Sequence, residues 1–112
     1  MKKWIAVGEV EKFSQNIGAC VLVDGLQLAV FNFNGDEWYA VENKCPHEGQ
    51  EVLSRGLTGD VCGEPKITCP LHKNSFSLKD GRHLGGNPEW MLKTFPVEIQ
   101  EGYVYLGFDA KE

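Results

Sequence analysis

Leu26-Gln27-Leu28-Ala29-Val30-Phe31-Asn32-Phe33, then Asn34-Gly35, then Trp38-Tyr39-Ala40-Val41, is the stretch that decides the fold class. Leu26, Leu28 and Val30 alternate with Gln27 and Ala29, and Phe31-Asn32-Phe33 continues the period of two. That period places alternate side chains on opposite faces of an extended chain, and Asn-Gly tolerates the positive φ that a tight hairpin turn needs. The segment reads as a β-hairpin, with Trp38–Val41 as the returning strand. Upstream, Gly18-Ala19-Cys20-Val21-Leu22-Val23 reads as an apolar strand. Downstream, Phe95, Val97 and Ile99 alternate, Glu101-Gly102 is a turn, and Tyr103 to Phe108 alternates again, which makes a second hairpin. Ser75-Phe76-Ser77-Leu78 leads into Asp80-Gly81, a third turn. No ten residues carry an i, i+3, i+4, i+7 apolar stripe without a Gly or Pro interrupting it, so helices must be short and the fold nearly all β.

The chain of 112 residues has room for one modest core, and no repeat or linker divides it, so one domain over 1–112 is expected. Its net charge of −5 offers no electrostatic footprint for nucleic acid or anionic lipid. The longest uninterrupted apolar run, Ala19 to Val23, is far too short to cross a membrane. Met1-Lys2-Lys3 imitates the start of a secretory leader, but the apolar stretch behind it stops at Gly8-Glu9, which points to a cytoplasmic protein. In that reducing setting Cys20, Cys45, Cys62 and Cys69 pose a metal question rather than a disulfide question. The least regular part, Asn43 to Lys66, lies between the strand-rich ends, and long irregular stretches in compact domains usually carry function.

Two segments stand out: Cys45-Pro46-His47 and Cys69-Pro70-Leu71-His72, with 21 residues between His47 and Cys69. Each supplies one thiolate and one imidazole, and each has Pro directly after its Cys, which stiffens a loop that must present two ligands. This is the pattern of two loops converging on one site. A mixed-ligand iron-sulfur cluster and a tetrahedral zinc site both use two Cys and two His. Zinc modules usually pair Cys with Cys and His with His, whereas each loop here carries one of each.

The double motif, C-P-H followed by C-P-L-H, resembles a Rieske domain, whose 2Fe-2S cluster is held by two cysteines on one iron and two histidines on the other. The resemblance assigns Cys45 and Cys69 to one iron and His47 and His72 to the other. It implies an antiparallel β-sandwich or barrel base with an inserted cluster-binding subdomain at about residues 43–80. Two ferric irons and two sulfides sum to about +2, so two thiolates and two neutral imidazoles leave a neutral oxidised cluster, against about −2 with four thiolates. An electron enters a neutral cluster more easily, which raises the potential.

A more specific resemblance covers almost the whole chain. The two ligand motifs, Val52-Leu53-Ser54-Arg55-Gly56-Leu57, Gly59-Asp60, Gly63-Glu64-Pro65-Lys66, CPLHKNSFSL over Cys69–Leu78, Lys93-Thr94-Phe95-Pro96-Val97 and Gly102-Tyr103-Val104-Tyr105-Leu106 are together similar to the small subunit of assimilatory NAD(P)H-dependent nitrite reductase. The long spacer, with its extra residues centred on Thr58 to Lys66, fits that family better than the stand-alone Rieske ferredoxins that feed oxygenases, which are the alternative. Leu71 and Gln50 stand where high-potential Rieske proteins have a loop disulfide, and Asn74 and Phe76 occupy their hydroxyl positions, which implies a low potential. Gly85-Gly86-Asn87-Pro88 matches the third cluster-covering loop only loosely. The resemblance implies a large partner subunit carrying FAD, sirohaem and a 4Fe-4S centre that reduces nitrite to ammonium. This chain would be its non-catalytic electron-transfer or auxiliary subunit, with His47 and His72 at the contact face.

The remaining candidates have simpler readings. Cys20 is expected to fill the core, Cys62 to be an inert thiol, and His83 and Lys73 to be solvated. Trp38 is expected in the core and Trp90 as an exposed anchor for a partner. Glu48, Glu51, Asp60 and Glu64 are read as solvated carboxylates.

Overall fold

The strand Leu26–Phe33 has Leu28 to Asn32 buried without a break, which a strand with one solvated face does not show. The computed structural model, which describes residues 2–23, 25–33, 37–44, 53–61, 64–70 and 74–109, gives the reason. Leu28 and Val30 point into one apolar cluster and Ala29 and Phe31 into another, so this strand is a wall shared by two cores.

Among the described residues the chain forms β1 (Lys2–Glu9), β2 (Gly18–Val23), β3 (Leu26–Phe33), β4 (Glu37–Glu42), β5 (Leu57–Val61), β6 (Glu64–Thr68), β7 (Ser75–Ser77), β8 (Thr94–Phe95), β9 (Val97–Gln100) and β10 (Tyr103–Asp109). Its helical pieces there are two single 3₁₀ turns, Val10–Lys12 and Leu53–Arg55. The strands lie in three antiparallel sheets, ordered β1-β10-β9, β2-β3-β4-β8 and β5-β6-β7. The first core, with Leu28, Val30, Ala40, Phe95, Val104 and Leu106, fills the space between the first two sheets. The second core, with Ala29, Phe31, Val41, Leu53, Ile67, Cys69, Phe76 and Leu78, joins the other face of β3 and β4 to the third sheet. Each fully buried Leu, Ile, Val or Phe in these clusters contributes about 1.5–3 kcal/mol.

The expected strand pairs are present as β3-β4, with Phe33 opposite Glu37, and β9-β10, with Gln100 opposite Tyr103, while the Asn34-Gly35 turn lies outside the described residues. Glu101 and Gly102 both have positive φ, 51° and 83°, the twist a two-residue hairpin turn needs. The third turn follows β7: Gly81 N–H donates to the Ser77 carbonyl and Ser77 N–H to that of Arg82, at 2.9 Å each.

Several expectations are corrected. β1 was not foreseen as a strand; it pairs with β10 along its length, which local pattern could not announce. The supposedly irregular stretch contains the β5-β6 hairpin, built from Gly59, Asp60, Pro65 and Lys66, residues poor in β propensity that are held by pairing and by the second core. Cys20 is exposed: β2 is an edge strand, and its alternation turns Cys20 and Leu22 outward while Val23 points in. Trp38 does pack against the first core, half-buried and edge-on to Phe13 with ring centroids 5.8 Å apart.

Candidate metal centre

Of the four expected ligands the structure describes Cys69; Cys45, His47 and His72 lie outside the described residues, as do Glu48, Cys62 and Lys73. Among the described residues no three His, Cys, Asp or Glu side chains come together. What the structure shows is how both Cys-His segments are held at their ends.

Cys69 follows β6 directly and is wholly buried within the second core. β6 and β7 pair antiparallel up to Thr68 opposite Ser75, and the two hydroxyl oxygens lie 2.8 Å apart. One residue further on, Cys69 N–H donates to the Asn74 carbonyl at 2.8 Å. The segment that carries His72 therefore leaves and re-enters one ladder at a fixed separation.

The segment that carries Cys45 and His47 leaves β4 at Glu42 and re-enters the described structure at Leu53. Asn43, almost fully buried, ties the two ends: its carbonyl accepts the Leu53 N–H at 3.2 Å and its Oδ1 accepts the Ser54 N–H at 2.6 Å. The sequence reading used Asn43 only as a boundary, and its position two residues before Cys45 was the available signal.

Two glycines then bring the segments together. A Cβ on Gly18, at the start of β2, would lie 2.4 Å from the Ser54 carbonyl oxygen, so β2 touches the backbone of the turn that ends the first segment. A Cβ on Gly56 would lie 2.3 Å from the Thr68 carbonyl oxygen, so the same turn presses on the residue before Cys69. Leu53, just beyond the first segment, and Cys69, which opens the second, share one apolar cluster.

His83, expected to be solvated, is half-buried between Phe76 and Trp90, with ring centroids 5.3 and 5.0 Å from its own. Its Nδ1 accepts the Asn87 N–H at 3.0 Å, which leaves the proton on Nε2, 3.3 Å from Asn74 Oδ1. The imidazole thus links the 83–90 loop to the end of the second ligand segment. Trp90, expected as an exposed anchor, instead packs against the second core. Glu64 is not merely solvated: both its oxygens receive the Arg82 guanidinium, at 2.6 and 2.8 Å, and Oε2 also accepts the Ser77 hydroxyl at 2.7 Å. These bonds hold the Glu64 carboxyl below the usual range, the Arg82 contact most, and the Asp80 carboxyl is lowered chiefly by the Arg82 backbone N–H. No helix among the described residues is long and apolar enough to cross a membrane.

An antiparallel β framework holds the described ends of the two Cys-His segments around one apolar cluster. The sequence profile of the Rieske-like [2Fe-2S] domain matches residues 3–107, and the chain belongs to that family. Within it the chain belongs with the small subunits of nitrite reductase. It is 30% identical over 107 residues to the nitrite reductase (NADH) small subunit of Salmonella typhimurium, covering 95% of this chain and 98% of that one. It is 37% identical over 106 residues to the nitrite reductase [NAD(P)H] large subunit of Klebsiella oxytoca, of which it spans 11%. The solution structure of NirD from Escherichia coli superimposes with a TM-score of 0.87 at 28% identity, over 98% of this chain and 100% of that one. The donor set of the two motifs, with the buried Cys69 thiol at the end of β6, fits a two-cysteine, two-histidine cluster.

Proposed function

We propose that this chain is the small subunit of an NAD(P)H-dependent nitrite reductase and holds a Rieske-type 2Fe-2S cluster through Cys45, His47, Cys69 and His72. The observation that carries the reading is that the described ends of both ligand segments, Leu53 and Cys69, meet in one apolar cluster while the donors themselves alternate Cys and His. Near-complete overlap with the Salmonella small subunit supports it, because a relative of the same length shares the whole chain and not the motif alone. The match to a segment of a Klebsiella large subunit supports a physical association with the large subunit.

When bound, the cluster supplies one-electron exchange. The chain's own residues do the rest. Cys45 and Cys69 provide the anionic donors, and His47 and His72 the neutral ones. The second core keeps water from the Cys69 sulfur. The domain spans 1–112, with residues of about 43–80 forming the cluster-binding part. The large subunit is the partner and carries FAD, sirohaem and a 4Fe-4S centre. In this reading the protein works in the cytoplasm, and the isolated chain is not catalytic.

The test is an electron paramagnetic resonance spectrum of anaerobically purified, dithionite-reduced protein, with iron, sulfide and zinc measured on the same sample. A rhombic signal of low average g with two irons per chain is expected. Stoichiometric zinc with no iron would overturn the ligand assignment. Nitrite consumption by the chain alone, with a chemical reductant, would overturn its non-catalytic role.

A further inference from the structure

Each hydrogen-bonding group of Asn43 is engaged, and together the bonds join Gln27 of β3 to the turn at Leu53 and Ser54. Its N–H donates to the Gln27 carbonyl at 3.0 Å and its carbonyl accepts from Leu53 N–H at 3.2 Å. Its Oδ1 accepts from Ser54 N–H at 2.6 Å. Its Nδ2 donates to Gln27 Oε1 at 3.2 Å and lies 3.6 Å from Cys20 Sγ. The residue is 2% exposed, so water does not replace these bonds when one is lost.

We propose that Asn43 is the positioning residue of the first ligand loop: one side chain closes the loop on itself through Ser54 and fastens it to the β2-β3 edge through Gln27 and Cys20. The inference rests on the assignment of Cys45 and His47 as ligands, since Asn43 stands two residues before Cys45. The physical reason is entropic. A segment of nine residues between Asn43 and Leu53 would sample many conformations if its ends were free, and closing the ends in advance removes that cost before any donor is engaged. An amide is the side chain suited to this place, because it accepts from the loop and donates to the sheet at once. An aspartate retains the Ser54 bond and can be met by Gln27 after its amide turns over, whereas leucine fills a similar volume and makes neither bond.

The experiment compares the full chain with Asn43→Leu and Asn43→Asp by amide hydrogen exchange and by the spectrum of the reduced protein. In Asn43→Leu the Leu53 and Ser54 amides should exchange about tenfold faster or more, while amides of β1 and β10 keep their wild-type rates. The reduced signal should broaden or shift its g values in Asn43→Leu and return toward wild type in Asn43→Asp. Should Asn43→Leu not fold, Gln27→Met removes the acceptor of the Asn43 amide and should give the same pattern more weakly. Unchanged exchange at Leu53 and Ser54, equal acceleration at all amides, or a reduced signal in Asn43→Leu identical to wild type would each overturn the proposal. If wild-type protein binds no iron, the ligand assignment falls, and the exchange comparison still decides whether Asn43 closes the loop.

Discussion

Gly56→Ala tests the claim that the two Cys-His segments are held together by backbone contact and not by the proposed cluster alone. The added Cβ would stand 2.3 Å from the Thr68 carbonyl oxygen and 2.9 Å from Ile67 Cδ1. Real Cβ atoms essentially never approach within 3.0 Å, so the turn at Gly56 and β6 must separate by at least about 0.7 Å at that point. The Ile67 side chain can turn, but the Thr68 carbonyl is fixed in the β5-β6 ladder opposite Leu57. Overpacking of this kind costs about 1–3 kcal/mol. For a chain of 112 residues, at roughly 4 °C per kcal/mol, melting should fall by about 4–12 °C. Because Thr68 immediately precedes Cys69, the displacement also moves a proposed ligand, and iron per chain should fall with it. Thermal melts by circular dichroism, with iron and sulfide quantified, read both effects. Gly59→Ala, in the same hairpin, is the control: its Cβ would meet only the end of the Lys66 side chain at 3.4 Å, an ordinary contact. If Gly56→Ala melts with Gly59→Ala and keeps its iron, the backbone contact does not hold the segments together.

Two other outcomes follow from the surface chemistry. Glu64 and Asp80 have carboxyls lowered by Arg82, so their contribution to stability is complete above the ordinary carboxylate range and is lost as pH falls through the lowered folded values. The difference in urea midpoint between wild type and Arg82→Met should be constant from pH 7 to about 5, narrow as pH falls through and below the ordinary carboxylate range of about 4, and shrink in high salt; a gap that does not narrow on acidification refutes the linkage. Cys20 is exposed on the β2 edge, so iodoacetamide should modify it in the native protein, and Cys20→Ser should move the melting point by no more than about 2 °C. Peptide mass spectra that find Cys20 unmodified until the chain is denatured would contradict its exposure.

The parts legible in the sequence are those whose physical cause lies within a few residues. Alternation at Leu26–Phe33 and Tyr103–Phe108 specifies strands, and Glu101-Gly102 a turn, through local backbone preference. The Cys-Pro-His and Cys-Pro-Leu-His spacings carry the proposed donor set in the same local way, each placing one Cys and one His on one short segment. Tertiary structure alone decided which faces are buried. Leu28 to Asn32 are buried in succession because sheets cover both sides of β3, and Cys20 in an equally apolar segment is exposed because it lies on the terminal strand of its sheet, beyond Ala29 at the margin of the second core. The fastening of the site was invisible for the same reason. Asn43 acts on Gln27 and Ser54, Gly56 on Thr68, and His83 on Asn74 and Trp90, and the meaning of each residue depends on what folding sets against it. A short-range pattern encodes conformation and donor chemistry, whereas burial, close approach and hydrogen-bond partnership are properties of pairs that the linear chain keeps apart.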